Sequence, residues 1–110
     1  MKLILFIFLF SIIINSDFKN VQVLDIESKK EMKKYMKSIS KDLGAKCKDC
    51  HDMDDFSIDN PMKNKAREMI ILTRQINDFL SKIDDKEEKK TEKITCWTCH
   101  KGSFGVEHSR

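Results

Sequence analysis

The sequence has few of the residues that interrupt helices and no pattern of strands. Its 110 residues include one proline and three glycines, the residues that most often break regular structure. No stretch alternates apolar and polar side chains over the length of a strand, whereas apolar residues recur at spacings of three and four in two long stretches. These features predict an all-α protein with one small domain.

A strong charge of one sign is also absent. The chain has 21 lysines and arginines against 18 aspartates and glutamates, a net charge of +3. Residues 1–16 hold one lysine and no acidic residue, so their removal lowers the net charge to +2. This balance does not suit a partner such as nucleic acid or an anionic membrane, and we expect neither.

Long apolar runs are confined to the N-terminus. Lys2 precedes apolar residues 3–10 and 12–14, and Ser16 is a small residue suited to cleavage. Together they indicate a signal peptide over residues 1–16 and export to the periplasm. The run is short for a bilayer span, which takes about 20 apolar residues, but an uncleaved signal would anchor the chain at its N-terminus. No cysteine follows the run closely, which argues against a lipoprotein.

The first helical stretch has recognisable ends. Ser28-Lys29-Lys30-Glu31 matches a capping box, and Gly44 stands where a helix is expected to stop. Residues 17–27, before this helix, are expected to form an extended or irregular N-terminal extension. The apolar stripe between the two ends comprises Met32, Tyr35, Met36, Ile39 and Leu43.

A second helix is predicted to begin with Asn60 as its cap and Pro61 in its first turn. Residues 69–72 are apolar almost all round, so we expect the middle of this helix to be buried on more than one face. Residues 84–93 are almost all charged and predict a solvated helix end or loop. The apolar stripe comprises Met62, Ala66, Met69, Ile70, Thr73, Ile76, Leu80 and Ile83.

All four cysteines belong to two copies of one motif, Cys-x-x-Cys-His, over residues 47–51 and 96–100. This is the attachment pattern of a c-type haem. Each thiol adds across one haem vinyl group to form a thioether, and the imidazole of the adjacent histidine binds the iron axially. We therefore expect two covalent haems. The anchors are Cys47, Cys50, Cys96 and Cys99, and the proximal iron ligands are His51 and His100.

Other uses of the cysteines fit the sequence less well. Disulfides are usual in exported chains, but two Cys-x-x-Cys loops would cross-link little and would leave both histidines unexplained. Four thiolates suit structural zinc, yet 45 residues separate Cys50 from Cys96, against about 15–20 in a zinc ribbon. A thioredoxin-like redox motif requires a strand–helix setting, which the sequence does not predict.

Methionines are the main candidates for the second axial ligand of each iron. Met36 lies 15 residues before His51, so a chain reversal after its helix can bring the thioether to the opposite face of the first haem. Met69 is the candidate for the second haem, with Met62 as the alternative. Both candidates also lie on apolar stripes, where methionine commonly packs in a core. The remaining histidine, His108, lies in a terminal tail expected to fray.

Several short segments before, between and after the two motifs add to the pattern. They are Met36 ten residues before the first motif, then Asp59-Asn60-Pro61, Lys65-Ala66-Arg67-Glu68-Met69, Ile76-Asn77, and Lys101-Gly102 after the second motif. From about residue 28 to 105 the chain thereby resembles one half of the cytochrome c subunit of photosynthetic reaction centres. That subunit has four haems in two dihaem halves, each built as helix, haem motif, long helix and haem motif.

The resemblance implies a dihaem cytochrome c domain over residues 28–105, followed by a tail over 106–110. It implies that His51 and His100 are proximal ligands and that Met36 is the distal ligand of the first haem. Met69 matches a methionine that can serve the second haem, although one half of the family uses a histidine from elsewhere in the chain. Half the haems and the lipid-modified cysteine are missing, so docking on a photosynthetic complex is not implied.

The function expected from these features is single-electron transfer by an exported dihaem cytochrome c in a respiratory or other periplasmic chain. The partners would be a redox protein donor and acceptor, and a homodimer would restore the four haems of the family. We expect an electron carrier and not an enzyme. The alternatives are a peroxidase-like haem enzyme and a haem-based ligand sensor, each of which needs one open iron.

Overall fold

The computed structural model describes residues 18–84 and 92–106, and these are helical with no strand. Four helices follow one another: α1 (Lys29–Leu43), α2 (Cys47–Cys50), α3 (Pro61–Asp84) and α4 (Cys96–His100). The predicted all-α class is confirmed. The expected signal peptide, residues 85–91 of the charged segment and His108 lie outside the described residues.

Helix α1 has the ends that its sequence predicts. The Ser28 hydroxyl accepts a hydrogen bond from the backbone N–H of Glu31 at 3.2 Å, which satisfies one of the free donors of the first turn. Gly44 ends the helix in the left-handed region, with φ 61° and ψ 27°, where glycine carries no steric penalty. The chain therefore reverses at Gly44 and enters α2 three residues later.

Helix α3 begins as predicted but is buried along one side only. The Asn60 side chain accepts from the backbone N–H of Lys63 at 2.8 Å and so caps the helix. The expectation that residues 69–72 are buried on more than one face is wrong, because Met69, Ile71 and Leu72 are 39%, 41% and 46% exposed. The half-buried positions instead form one stripe: Lys63, Ala66, Arg67, Ile70, Thr73, Ile76, Asn77 and Leu80.

A glycine pair joins the end of α1 to the chain after α4. The backbone N–H of Gly102 donates to the carbonyl of Asp42 at 2.9 Å. A Cβ atom on Gly44 would overlap the carbonyl oxygen of Gly102, and one on Gly102 would lie 3.1 Å from the indole ring of Trp97. Both glycines have positive φ. The second motif is thus fixed against the C-terminus of α1, while α2 packs against α3.

The N-terminal extension lies along α3. Residues 18–27 have no regular secondary structure, as predicted. The Arg67 guanidinium donates to the Asn20 carbonyl at 3.3 Å and the Arg74 guanidinium to the Val23 carbonyl at 2.5 Å. The Asn20 amide donates to the Ser57 carbonyl at 2.8 Å. These bonds hold the extension as one wall of the larger of two cavities.

The described residues form almost no conventional core. Ala45, at 8% exposed, is the only apolar residue among them that is buried. The half-buried apolar side chains of α1 and α3 line two cavities instead. Within the described ranges, no helix is both long and apolar enough to cross a membrane.

Candidate haem sites

Each Cys-x-x-Cys segment forms a single helical turn that is capped from within the motif. In the first motif the Asp49 carboxylate accepts from the backbone N–H of Lys46 at 2.7 Å. In the second, the Thr98 hydroxyl accepts from the backbone N–H of Thr95 at 3.0 Å. The residue before the second cysteine therefore closes the turn in both motifs. This turn holds the two cysteines of each motif on one short segment of chain.

The first cavity has a volume of about 470 Å³, within the range of roughly 300–1,000 Å³ usual for cofactor sites. It brings together Cys50, His51 and the predicted distal ligand, Met36. Cys47 is exposed and does not line the cavity. Its other apolar walls come from α1, α3 and the N-terminal extension, and include Val21, Val23, Leu24, Met32, Ile39 and Ile70.

The second cavity is smaller, with a volume of about 220 Å³, which is below the range of roughly 300–1,000 Å³ usual for cofactor sites. It is lined by both cysteines of the second motif and by His100. Met69 and its alternative Met62 both line it, and their exposures are 39% and 40%. The structure therefore brings both methionines to this cavity and does not distinguish which of them is the distal ligand.

The two cavities adjoin. Ile39, Leu43, Cys50, Ala66 and Ile70 line both of them, so the two spaces share these residues as a common wall. These residues come from the apolar faces of α1 and α3 and from the first motif. The helix–motif–helix–motif order of the sequence thus places two motif sites side by side.

Both motif histidines are held by a backbone carbonyl. His51 Nδ1 lies 3.0 Å from the Phe56 carbonyl oxygen, and His100 Nδ1 lies 3.1 Å from that of Ser103. A carbonyl only accepts, so each hydrogen bond requires the proton on Nδ1 and leaves the lone pair on Nε2. This is the arrangement of a metal-binding histidine, in which the second nitrogen is oriented by an acceptor.

Two asparagines connect α3 to the motifs. The Asn60 amide donates to the Cys50 carbonyl at 2.8 Å. The Asn77 amide donates to the Ile94 carbonyl at 2.9 Å and accepts from the Ile94 N–H at 2.8 Å. Asn60 was identified in the sequence only as a cap. Its bond to the first motif and the two-way bond of Asn77 depend on tertiary structure that periodicity does not reveal.

Basic side chains gather at the first cavity. Lys19, Lys63 and Arg67 line it, together with one carboxylate, Asp55. Arg67 also lies 2.8 Å from Asp59. Its hydrogen bond is the main cause that lowers the pKa of the Asp59 carboxyl below the usual value, and a hydrogen bond from Asn20 acts in the same direction. Asp55 likewise has a lowered pKa, caused mainly by hydrogen bonds from Ser57.

The cysteines are separate free thiols. All four are unpaired in the structure, so the disulfide alternative is not supported. Burial, and then the Asp49 charge, raises the pKa of Cys50, and burial followed by Asp42 raises that of Cys96. In residues 18–84 and 92–106, no three histidine, cysteine, aspartate or glutamate side chains form a metal-binding group. The two cysteine pairs therefore do not meet as a tetrathiolate zinc site.

This donor set fits a c-type haem at each cavity. Cysteine thiols can form thioethers, an oriented imidazole offers its Nε2 lone pair, and apolar walls suit a porphyrin. The predicted site residues are brought together in two groups, except for Cys47, which is exposed and lines neither cavity. Sequence reasoning missed the carbonyl partners of the histidines, because a backbone acceptor has no residue signature.

Comparison with known proteins agrees with this chemistry. The family model described as photosynthetic reaction centre cytochrome C subunit matches residues 13–106. No curated protein and no solved structure matches the chain. The family match covers most of the sequence and includes both motifs. The chain therefore belongs to the photosynthetic reaction centre cytochrome C subunit family and is a c-type cytochrome, a haem-based electron-transfer protein.

Proposed function

We propose that this protein is an exported dihaem cytochrome that carries single electrons between redox proteins, with both irons closed by protein ligands. One observation carries the proposal. Each cavity places a motif cysteine, a histidine with Nε2 free to coordinate, and a methionine around one apolar space. A haem bound there supplies a one-electron iron couple, and the surrounding residues bind it and set its properties.

Each side chain has a defined role in this proposal. Cys47 and Cys50 anchor the first haem, and Cys96 and Cys99 anchor the second. His51 and His100 would bind the irons through Nε2, because the carbonyls that accept from Nδ1 orient both rings. Met36 closes the first iron and Met69 the second, with Met62 as the alternative. Histidine–methionine ligation favours electron transfer at relatively high potential.

The shared wall between the cavities supports transfer within the molecule. Ile39, Ala66 and Ile70 line both spaces, so neighbouring haems would be separated by apolar side chains alone over this stretch. An electron received at one site can therefore pass to the other before it leaves to an acceptor protein.

The cellular setting is part of the same proposal. Residues 1–16 act as the signal for export to the periplasm, or as an anchor where cleavage fails, and residues 28–105 form the dihaem domain. Electron donors and acceptors are redox proteins of that compartment. A homodimer would reproduce the four haems of the reaction centre subunit.

Carbon monoxide binding distinguishes an iron with two protein ligands from an iron with a free coordination position. We expect the reduced wild-type protein to keep its spectrum under carbon monoxide, because methionine and histidine fill both axial positions. The oxidised protein should show the weak red absorption band of iron–methionine coordination. A spectrum that shifts with carbon monoxide would contradict the proposal and favour a haem enzyme or a ligand sensor.

A further inference from the structure

The carbonyl that orients His51 also accepts from a lysine. Lys63 Nζ lies 2.9 Å from the Phe56 carbonyl oxygen, the same atom that lies 3.0 Å from His51 Nδ1. Nζ also lies 3.2 Å from the carbonyl of Ile58. The Lys63 side chain is only 13% exposed. A lysine with a largely buried side chain thus places its ammonium group on the same oxygen atom as the histidine of the first motif.

The second motif has a different arrangement. His100 Nδ1 lies 3.1 Å from the Ser103 carbonyl, and within the described part of the chain no side-chain cation donates to that oxygen. The lysine that lines the second cavity, Lys65, is 62% exposed and pairs with Glu68 at 2.9 Å. The two histidines therefore share one tautomer but differ in what else their acceptor carbonyl binds.

This difference acts on the electron density of the imidazole. A carbonyl that accepts from Nδ1–H makes the histidine a more basic ligand and favours the oxidised metal. An ammonium on the same oxygen draws its electron density away, so the bond from His51 is weakened. The positive charge also stabilises the reduced iron, and burial strengthens that interaction. Both effects raise the reduction potential of the first site.

The other charged side chains that line the first cavity, and Asp59 beside it, do not reverse this effect. Asp59 lies 3.6 Å from Lys63, but it is closer to Arg67, at 2.8 Å. Arg67 and Lys19 line the first cavity with Lys63, against the single carboxylate of Asp55. Three cations therefore face two carboxylates, Asp55 in the cavity wall and Asp59 beside it, and Lys63 is the cation that is hydrogen-bonded to the histidine's own acceptor.

We propose that Lys63 is a positioning and tuning residue that gives the His51 haem the higher reduction potential of the two. The inference rests on the proposed dihaem function. One electron passes from a donor protein to one iron, with no covalent bond made or broken, and at equilibrium it resides mainly on the His51 side. Transfer from the His100 side to the His51 side is then the favourable direction.

Redox titration of Lys63 variants followed by optical spectroscopy tests this proposal. In Lys63→Met the higher of the two midpoints should fall, so that reduction of that haem becomes about tenfold less favourable, or about 59 mV for one electron. The lower midpoint should stay in place. Lys63→Arg keeps the positive charge, so its higher midpoint should shift by only a small fraction of that amount. Lys82→Met removes a lysine of the same helix that lines neither cavity, and is the matched control.

A second readout reports on the histidine itself. In the reduced protein, the His51 Nδ1–H proton resonance should move downfield in Lys63→Met, because its hydrogen bond to Phe56 strengthens once the ammonium is gone. Unchanged midpoints, an equal shift of both, or the same shift in Lys82→Met would overturn the role of Lys63 while leaving the dihaem function standing. A protein whose mass lacks two haems would overturn the dihaem function, and this inference with it.

Discussion

At the scale of single residues, each proposed haem site depends on four side chains, which are two cysteines, one histidine and one methionine, and on one backbone acceptor. The sequence identified the cysteines, the histidines and the methionine candidates, because covalent attachment fixes residue types and spacing. Met36 is half-buried and lines the same cavity as His51. Its role as distal ligand of the first haem is a prediction that can be tested directly.

The substitution Met36→Ala should make the first haem bind carbon monoxide. Loss of the thioether leaves one axial position without a protein ligand, so one of the two haems should react while the other stays inert. The measurement is a carbon monoxide titration of the reduced protein. Met53→Ala is the matched control, because Met53 is 58% exposed and lines neither cavity. If the Met36→Ala protein does not bind carbon monoxide, Met36 is not the distal ligand of the first iron.

The partners of the histidines could not be predicted from the sequence. Phe56 and Ser103 act through their carbonyl oxygens, which every residue possesses. Lys63 follows the cap of a helix rich in charged residues, where a solvated side chain is the usual outcome, yet it is largely buried. Met69 was predicted from its place in the apolar middle of α3, with Met62 as the alternative, and both line the second cavity.

At the scale of elements, the fold depends on how helices end and where their ends meet. The sequence predicts the helix caps at Ser28 and Asn60 and the helix end at Gly44, because local hydrogen bonds determine them. The contact between Gly44 and Gly102 could not be predicted, because the two glycines lie 58 positions apart in the sequence. The breadth of α3 burial was also overestimated, because an apolar run does not specify how many neighbours a helix has.

The substitution Gly44→Ala should destabilise the protein. Its φ of 61° is strained for alanine, and the new Cβ would overlap the Gly102 carbonyl. We expect the free energy of unfolding to fall by about 1–3 kcal/mol, measured as a lower midpoint in guanidinium chloride. Gly105→Ala is the control, because nothing lies within 4 Å of a Cβ there, and its effect should stay within about 0.5 kcal/mol. Equal stability of the two variants would contradict the proposed contact.

At the scale of the whole molecule, the chain encloses two adjoining cavities where a larger domain would have a core. Small domains bury too little apolar surface to be stable without additional support. Two covalent haems would supply that apolar mass and explain why the half-buried faces of α1 and α3 converge on the motifs. The all-α class was predictable from periodicity, whereas the shared wall between the cavities required the tertiary structure.

The intact mass of the protein, exported from a host that matures c-type cytochromes, decides whether the chain carries two covalent haems. We expect the mass of residues 17–110 plus two haems, and one haem fewer when Cys96 and Cys99 are both changed to serine. A mass equal to the bare polypeptide, or a single haem in the wild-type protein, would contradict this expectation.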